Sequence, residues 1–278
     1  MPARRPPAAP AAPPAPTQSA STVPAPSVPH TFALVSARLQ AQYLPGGPAP
    51  RTGRPETLLS GLIRTILGQQ NTRAAADRQW AALRERYPRW EAALLDGPDG
   101  LEGTLKAAGG GLHRSKARHI HALLQALDDT GPLSLEGLRD QADAAARARL
   151  EALPGVGRHT ASLTLLFDLR RAAMPVEGNL DRLARRLEWV PDGWTAARVV
   201  RWFDAVTPPT WAARASLHVA GVRHGREICT ARHPRCDICV LSDLCPSAAI
   251  LGPTRPGPTL AGPSLAGLAS PGPASGRA

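Results

Sequence analysis

Four cysteines fall within seventeen residues, in the pattern Cys229-x6-Cys236-x2-Cys239-x5-Cys245, and no other cysteine occurs in the chain. That spacing constrains the fold more than any other feature. The stretch 229–245 must curl on itself, because a loop this short can bring four thiolates around one centre. Zinc and a [4Fe–4S] cluster both accept four thiolates. Zinc ribbons usually pair two short Cys-x-x-Cys knuckles, and only one short spacing is present. Redox or nucleophilic use of Cys236 and Cys239 is a third option, but it leaves Cys229 and Cys245 without a role. The clustering is unlike a disulfide framework spread over a secreted fold.

Outside this loop the chain reads as helix after helix, so the fold class is all-α. Leu58, Leu59, Leu62, Ile63, Ile66 and Leu67 recur at helical spacing behind Pro55, a favourable first-turn residue. Further helical stretches are expected at 73–86, 114–128, 143–152, 158–169, 179–189, 194–206 and 210–228. Gly109-Gly110-Gly111, Gly131-Pro132, Pro191-Asp192-Gly193 and Pro208-Pro209 punctuate them. Period-two alternation is nearly absent, which argues against a sheet. Residues 1–30 and 251–278 are rich in Pro, Ala, Gly and Ser and contain no acidic residue, aromatic or cysteine before Phe32 and after Cys245. Such segments bury too little apolar surface to offset the entropy of ordering, so both are expected to be disordered tails.

Formal net charge is +11; the tails hold Arg4, Arg5, Arg255 and Arg277, which leaves +7 on the body. Basicity of this size fits a polyanionic partner such as nucleic acid, or simply a basic surface. Almost all of the positive charge is arginine, the only lysines being Lys106 and Lys116. No apolar run of membrane-spanning length occurs, and the N-terminal arginines precede prolines rather than an apolar core, so a cytoplasmic protein is expected.

Leu153-Pro154-Gly155-Val156-Gly157-Arg158 lies between two helical stretches. Its glycines permit positive φ and close backbone approach, and the helix beginning near Arg158 offers unpaired N–H groups, a combination suited to phosphate. Alone, the segment could equally be an ordinary helix–helix connector. Together with the 6-2-5 cysteine spacing, however, it resembles the endonuclease III family of DNA glycosylases, whose members carry a helix–hairpin–helix followed by a cysteine loop. The resemblance covers about 32–247.

It implies a [4Fe–4S] cluster on Cys229, Cys236, Cys239 and Cys245, in a loop that also presents Arg223, Arg226, Arg232 and Arg235 to phosphate. Gly155, Val156, Gly157 and Arg158 would grip the DNA backbone. Enzymes of this kind swing the target nucleotide out of the stack and fill the gap. Ile66-Leu67-Gly68-Gln69-Gln70-Asn71-Thr72 resembles the gap-filling segment, which selects Gln70. Gly111-Leu112-His113-Arg114-Ser115-Lys116-Ala117 resembles the loop that wedges the opposite strand, which selects Leu112.

At the catalytic pair the pattern departs from the family. Bifunctional members carry a lysine after Gly-Val-Gly-Arg, whose amine forms a Schiff base that leads to strand cleavage. Here that position is His159, and imidazole cannot form the imine. The family aspartate, which supports the cation developing on the sugar, corresponds to Glu177 in Val176-Glu177-Gly178-Asn179-Leu180-Asp181-Arg182. Asp181 reads as a surface partner for nearby arginines. Gly178-Asn179 is similar to the adenine-glycosylase branch, but that branch has a glutamate where this chain has Thr65.

The resemblance therefore implies two helical lobes: a six-helix barrel with the hairpin at 53–171, and a cluster lobe built from 31–52 and 172–250. The implied function is excision of a damaged base, an oxidised pyrimidine, from double-stranded DNA by a nucleoid-associated bacterial monomer, with little or no lyase step. The alternative is a catalytically weak or silent protein that binds lesions or abasic sites.

Overall fold

Threonine sets several of the helix starts in this chain. The structure, a computed structural model, describes residues 28–47 and 57–251, and its regular elements there are all helical. They are α1 (Phe32–Tyr43), α2 (Leu58–Gly68), α3 (Arg73–Arg86), α4 (Trp90–Ala107), α5 (His113–Asp128), α6 (Asp143–Glu151), α7 (Arg158–Phe167), α8 (Gly178–Arg186), α9 (Ala196–Val206), α10 (Trp211–Glu227) and α11 (Pro246–Leu251). Thr57, Thr72, Thr195 and Thr210 cap α2, α3, α9 and α10, each hydroxyl accepting a backbone N–H of the first turn. Such caps contribute about 1 kcal/mol each. Tail residues 1–27 and 252–278, and Pro55, lie outside the described residues.

Helix α2 is the axis of the larger lobe. Nine of its eleven residues are buried. Its polar members are satisfied: the Ser60 hydroxyl accepts from the Trp90 indole N–H at 3.0 Å, and the Thr65 hydroxyl donates to the Gly61 carbonyl at 3.0 Å. Six helices, α2–α7, share the hydrophobic core around Leu62, Ile66, Ile120 and Leu165. A second core gathers α1 and α8–α10 around Leu39, Leu183, Trp202 and Phe203, and Cys229 and Leu241 join it.

The lobes meet along α10. The Trp211 indole N–H donates to the Leu166 carbonyl at 2.8 Å, and Arg214 donates to the Ala172 carbonyl at 2.7 Å. Between α7 and α8 the chain crosses without regular structure, and its buried residues Ala173, Met174 and Pro175 fix its path. That path delivers Val176 and Glu177 beside the start of α7.

Three helices, α1, α4 and α11, lie outside the stretches expected from the sequence. Helix α4 contains Gly97, at φ +75°, followed by Pro98, so it is two segments joined at a kink. Helix α1 buries Phe32, Val35, Leu39 and Tyr43, spaced three or four residues apart on one helical face. The stretch expected at 179–189 stops at Arg186, because Glu188 takes φ +54°. Asp181 does pair with Arg185, two bonds of 3.0 Å each.

Candidate functional site

The hairpin joins α6 to α7. Gly155 sits at φ +75°, and a Cβ there would come 2.6 Å from that of His119, so the turn is pressed against α5. Gly157 ends the turn with open space around it and gives α7 no side-chain cap, which leaves the first N–H groups of that helix facing outward. Val156 is different in kind. Its side chain is buried in the six-helix core, so any contact it makes with a ligand is through its backbone. Arg158 is exposed at the mouth, and its guanidinium lies 3.9 Å from Asp204.

His159 is the second residue of α7 and keeps part of its surface exposed. Burial of its ring by the surrounding protein lowers its pKa from 6.5, while the nearby Glu177 carboxylate and a hydrogen bond to the Val176 backbone oppose that shift. The lowered pKa favours the neutral imidazole. Glu177 caps α8: its Oε1 accepts from the Asn179 backbone N–H at 3.2 Å and from the Asn179 side-chain amide at 2.6 Å. Asn179 in turn accepts from Arg182 at 2.7 Å, and Arg182 donates to the carbonyls of Gly225 and Cys229 at 2.8 and 2.9 Å. The carboxylate is thus braced through two side chains to the start of the cysteine loop. Gly225 makes this possible, since a Cβ there would meet that of Asn179 at 2.5 Å.

The probing residues lie on the α2–α3 turn and the α4–α5 loop. Gln70 and Leu112 are both exposed and both left-handed, at φ +46° and +61°. Non-glycine residues adopt that region at a cost, so the surrounding contacts must hold them there. Lys116, by contrast, is 1% exposed, and its ammonium donates to the Leu67 carbonyl at 2.8 Å. No substrate atom can reach it. Sequence reading had no signal for this, because a lysine on a helix normally faces water.

All four cysteines line one pocket, with Arg186, His224 and Leu241 among its other walls. Among the described residues no three His, Cys, Asp or Glu side chains converge as a single metal ion requires. N–H groups point at two of the sulfurs. Arg186 donates to Cys229 Sγ at 3.1 Å, the Leu241 N–H to Cys239 Sγ at 3.4 Å, and His224 Nε2 lies 3.6 Å from Cys239 Sγ. Burial pushes the Cys239 thiol up to about 11 and also raises Cys236 and Cys245. Thiolates here need a positive centre to displace the protons. Donor set and pocket fit a group held by four sulfurs. Of the arginines near the loop, Arg223 is engaged elsewhere, pairing with Glu227 at 2.9 Å and donating to the Tyr43 carbonyl at 3.2 Å. Arg226, Arg232 and Arg235 are exposed. No described helix is long and apolar enough to cross a membrane.

Comparison with known proteins agrees with this geometry. The HhH-GPD superfamily of base excision DNA repair proteins matches residues 63–209, and the iron–sulfur binding domain of endonuclease III matches residues 229–245. An Arabidopsis thaliana protein described as a DNA glycosylase is 32% identical over 137 residues, 49% of this chain and 46% of that protein. Endonuclease III of Escherichia coli K12 is 32% identical over 189 residues, 66% of this chain and 81% of that enzyme. A solved endonuclease III–DNA complex superposes with a TM-score of 0.66 at 24% identity, over 79% of this chain and 96% of that one, and shares its fold. With the hairpin, the cysteine loop and the two-lobed helical fold in place, the chain belongs to the endonuclease III family within the HhH-GPD superfamily of base excision DNA repair proteins.

Proposed function

We propose that this protein removes a damaged base, an oxidised pyrimidine, from double-stranded DNA by hydrolysis, and leaves the resulting abasic strand intact. The observation that carries the reading is the pairing of His159 with Glu177, within electrostatic reach of each other at the lobe boundary. A flipped nucleotide between them would meet a carboxylate on one side and a neutral imidazole on the other. Glu177 would stabilise the positive charge that grows on the sugar as the base departs. His159, neutral and able to accept a proton, would orient the attacking water and take its proton. Neither group is an amine, and Lys116 Nζ is buried on a carbonyl, so no Schiff base forms and strand cleavage does not follow.

Gly155, Gly157, Arg158 and the α7 N-terminus would hold the backbone, with Gln70 and Leu112 entering the duplex. We read the cysteines as ligands of one [4Fe–4S] cluster, supported by the pocket that all four line and by the match of 229–245 to the iron–sulfur binding domain of endonuclease III. When bound, the cluster supplies a structural clip that fixes the loop. The protein would act as a monomer on nucleoid DNA, with 53–171 as its barrel lobe and 31–52 plus 172–250 as its cluster lobe.

A second reading has its own support. Glu177 Oε1 is already engaged by its own helix cap, and its arm is one methylene longer than the family's aspartate. On this reading the protein binds lesions or abasic sites without removing bases. A panel of duplexes carrying single damaged bases separates the two, incubated with the protein and read with and without alkali. Alkali-dependent cleavage supports hydrolytic excision, and tight binding with no alkali-labile product supports the binder. Cleavage without alkali, together with borohydride trapping of the wild type, overturns both.

A further inference from the structure

The turn Gln69-Gln70-Asn71 ends α2, and its two flanking side chains reach in opposite directions. Gln69 donates to the Thr160 hydroxyl at 3.0 Å and to the Gly155 carbonyl at 3.4 Å, on the hairpin and the first turn of α7. Asn71 reaches the other way. Its Oδ1 accepts from the Gly111 N–H at 3.2 Å, and its amide donates to the Leu67 carbonyl at 3.2 Å and to Gln79 Oε1 at 3.0 Å. Gln79 has no exposed surface and donates to the Gly109 carbonyl at 2.9 Å. Beneath them Lys116 donates to the Leu67 carbonyl at 2.8 Å and lies 3.5 Å from Gln79 Oε1. The Gly109–Leu112 loop rests directly on this group: a Cβ on Gly110, which sits at φ +101°, would come 3.1 Å from both Asn71 Oδ1 and Gln79 Nε2.

A buried amide and a buried ammonium are costly unless their hydrogen bonds are made, and here the backbone partners are the Leu67 carbonyl in the last turn of α2 and Gly109 and Gly111 of the α4–α5 loop. Loosening the end of α2 or the α4–α5 loop would strand these groups. The same arrangement explains how Gln70 and Leu112, one on each loop, are both kept left-handed.

We propose that Gln69, Asn71, Gln79 and Lys116 form a positioning node that holds Gln70 and Leu112 at a fixed spacing from each other and from the hairpin before DNA arrives. The proposal deepens the DNA reading above and rests on Gln70 and Leu112 being the residues that enter the duplex. Its consequence is specificity. With the probes preset, ordering costs nothing at the moment of binding, and the protein gains affinity where a vacancy admits both side chains. Non-specific affinity comes from the hairpin and the arginines and is independent of the node.

The test uses the full-length, cluster-loaded protein. Its probe is a duplex with a tetrahydrofuran abasic analogue beside 2-aminopurine, compared with the matched undamaged duplex. Gln79→Glu is the informative variant. The carboxylate still accepts from Asn71 and gives Lys116 a charged partner, but it loses the donor to the Gly109 carbonyl. It should stay folded and bind undamaged duplex with wild-type affinity and salt dependence. Its preference for the abasic duplex should fall about threefold or more, the loss caused by a missing Leu112 contact. The 2-aminopurine signal at saturating protein should drop with it. Asn71→Ala should do the same, and Asn71→Asp, which keeps the acceptor for the Gly111 N–H, should recover part of the preference. Leu112→Ala is the control. If it retains full abasic preference, the duplex-entry reading fails and this inference falls with it. If it loses the preference while Gln79→Glu and Asn71→Ala keep both preference and fluorescence, only the node is overturned. Equal losses on both duplexes together with a lowered melting temperature would assign these residues to fold support and likewise overturn it.

Discussion

Replacing Leu112 separates what its side chain does from what its backbone costs. In the free protein Leu112 is 43% exposed. Full burial of a leucine side chain is worth about 1.5–3 kcal/mol, so covering the exposed fraction inside a duplex is worth about 0.6–1.3 kcal/mol. Leu112→Ala should therefore weaken binding to an abasic duplex by about three- to ninefold and leave undamaged duplex unchanged. Leu112→Gly should show the same affinity loss, because it lacks the same side chain. The two variants should differ in stability. Alanine retains the left-handed backbone at φ +61°, whereas glycine adopts it without the Cβ penalty. The glycine variant should consequently be more stable than the alanine variant by about 1 kcal/mol. Fluorescence anisotropy on matched duplexes and urea unfolding measure the two quantities. Equal affinity losses on both duplexes would remove the wedge role, and a glycine variant no more stable than the alanine variant would refute the strain argument.

Iron and acid-labile sulfide should each approach about four per chain, and Cys→Ala at 229, 236, 239 or 245 should lower yield and melting temperature; one zinc per chain without iron would exclude the cluster. The imidazole of His159, followed by NMR, should titrate below 6.5, and Glu177→Gln should lower it further by removing the carboxylate that opposes burial. Because the folded state binds this proton less readily than the unfolded chain, the site's contribution to stability rises with pH through the window just below 6.5 and is lost on acidification; an upward shift in Glu177→Gln would contradict the pairing. Gly225→Ala forces a Cβ to within 2.5 Å of that of Asn179. Overpacking should cost about 1–3 kcal/mol and displace the Glu177 brace, so calorimetry should register a lower melting temperature and any base removal should fall with it. His159→Lys should introduce borohydride trapping on abasic DNA, and adding Glu177→Asp should increase it; no trapping in either variant would mean that position 159 does not face the sugar.

Features that depend on near neighbours along the chain were legible in the amino-acid sequence. Helical periodicity excluded a sheet, the 6-2-5 spacing marked the cysteine loop, and Gly155 and Gly157 marked the hairpin, because each follows from residues a few positions apart. The sequence also marked the departures at His159 and Glu177. Which of these residues are accessible, and what holds them, emerged from the packing of the helices. Val156 reads as part of the grip and proves to have its side chain in the core. Lys116 is one of only two lysines in the sequence, yet it is buried, and the Leu67 carbonyl it donates to is 49 positions away along the chain. Asn71 and Gly111 stand 40 positions apart, and Arg182 and Cys229 stand 47 apart. Local pattern carries no information about such pairs: burial and hydrogen bonding between distant segments depend on how helices pack, and the same polar residue is a solvated surface group or a buried strut according to what the fold lays against it.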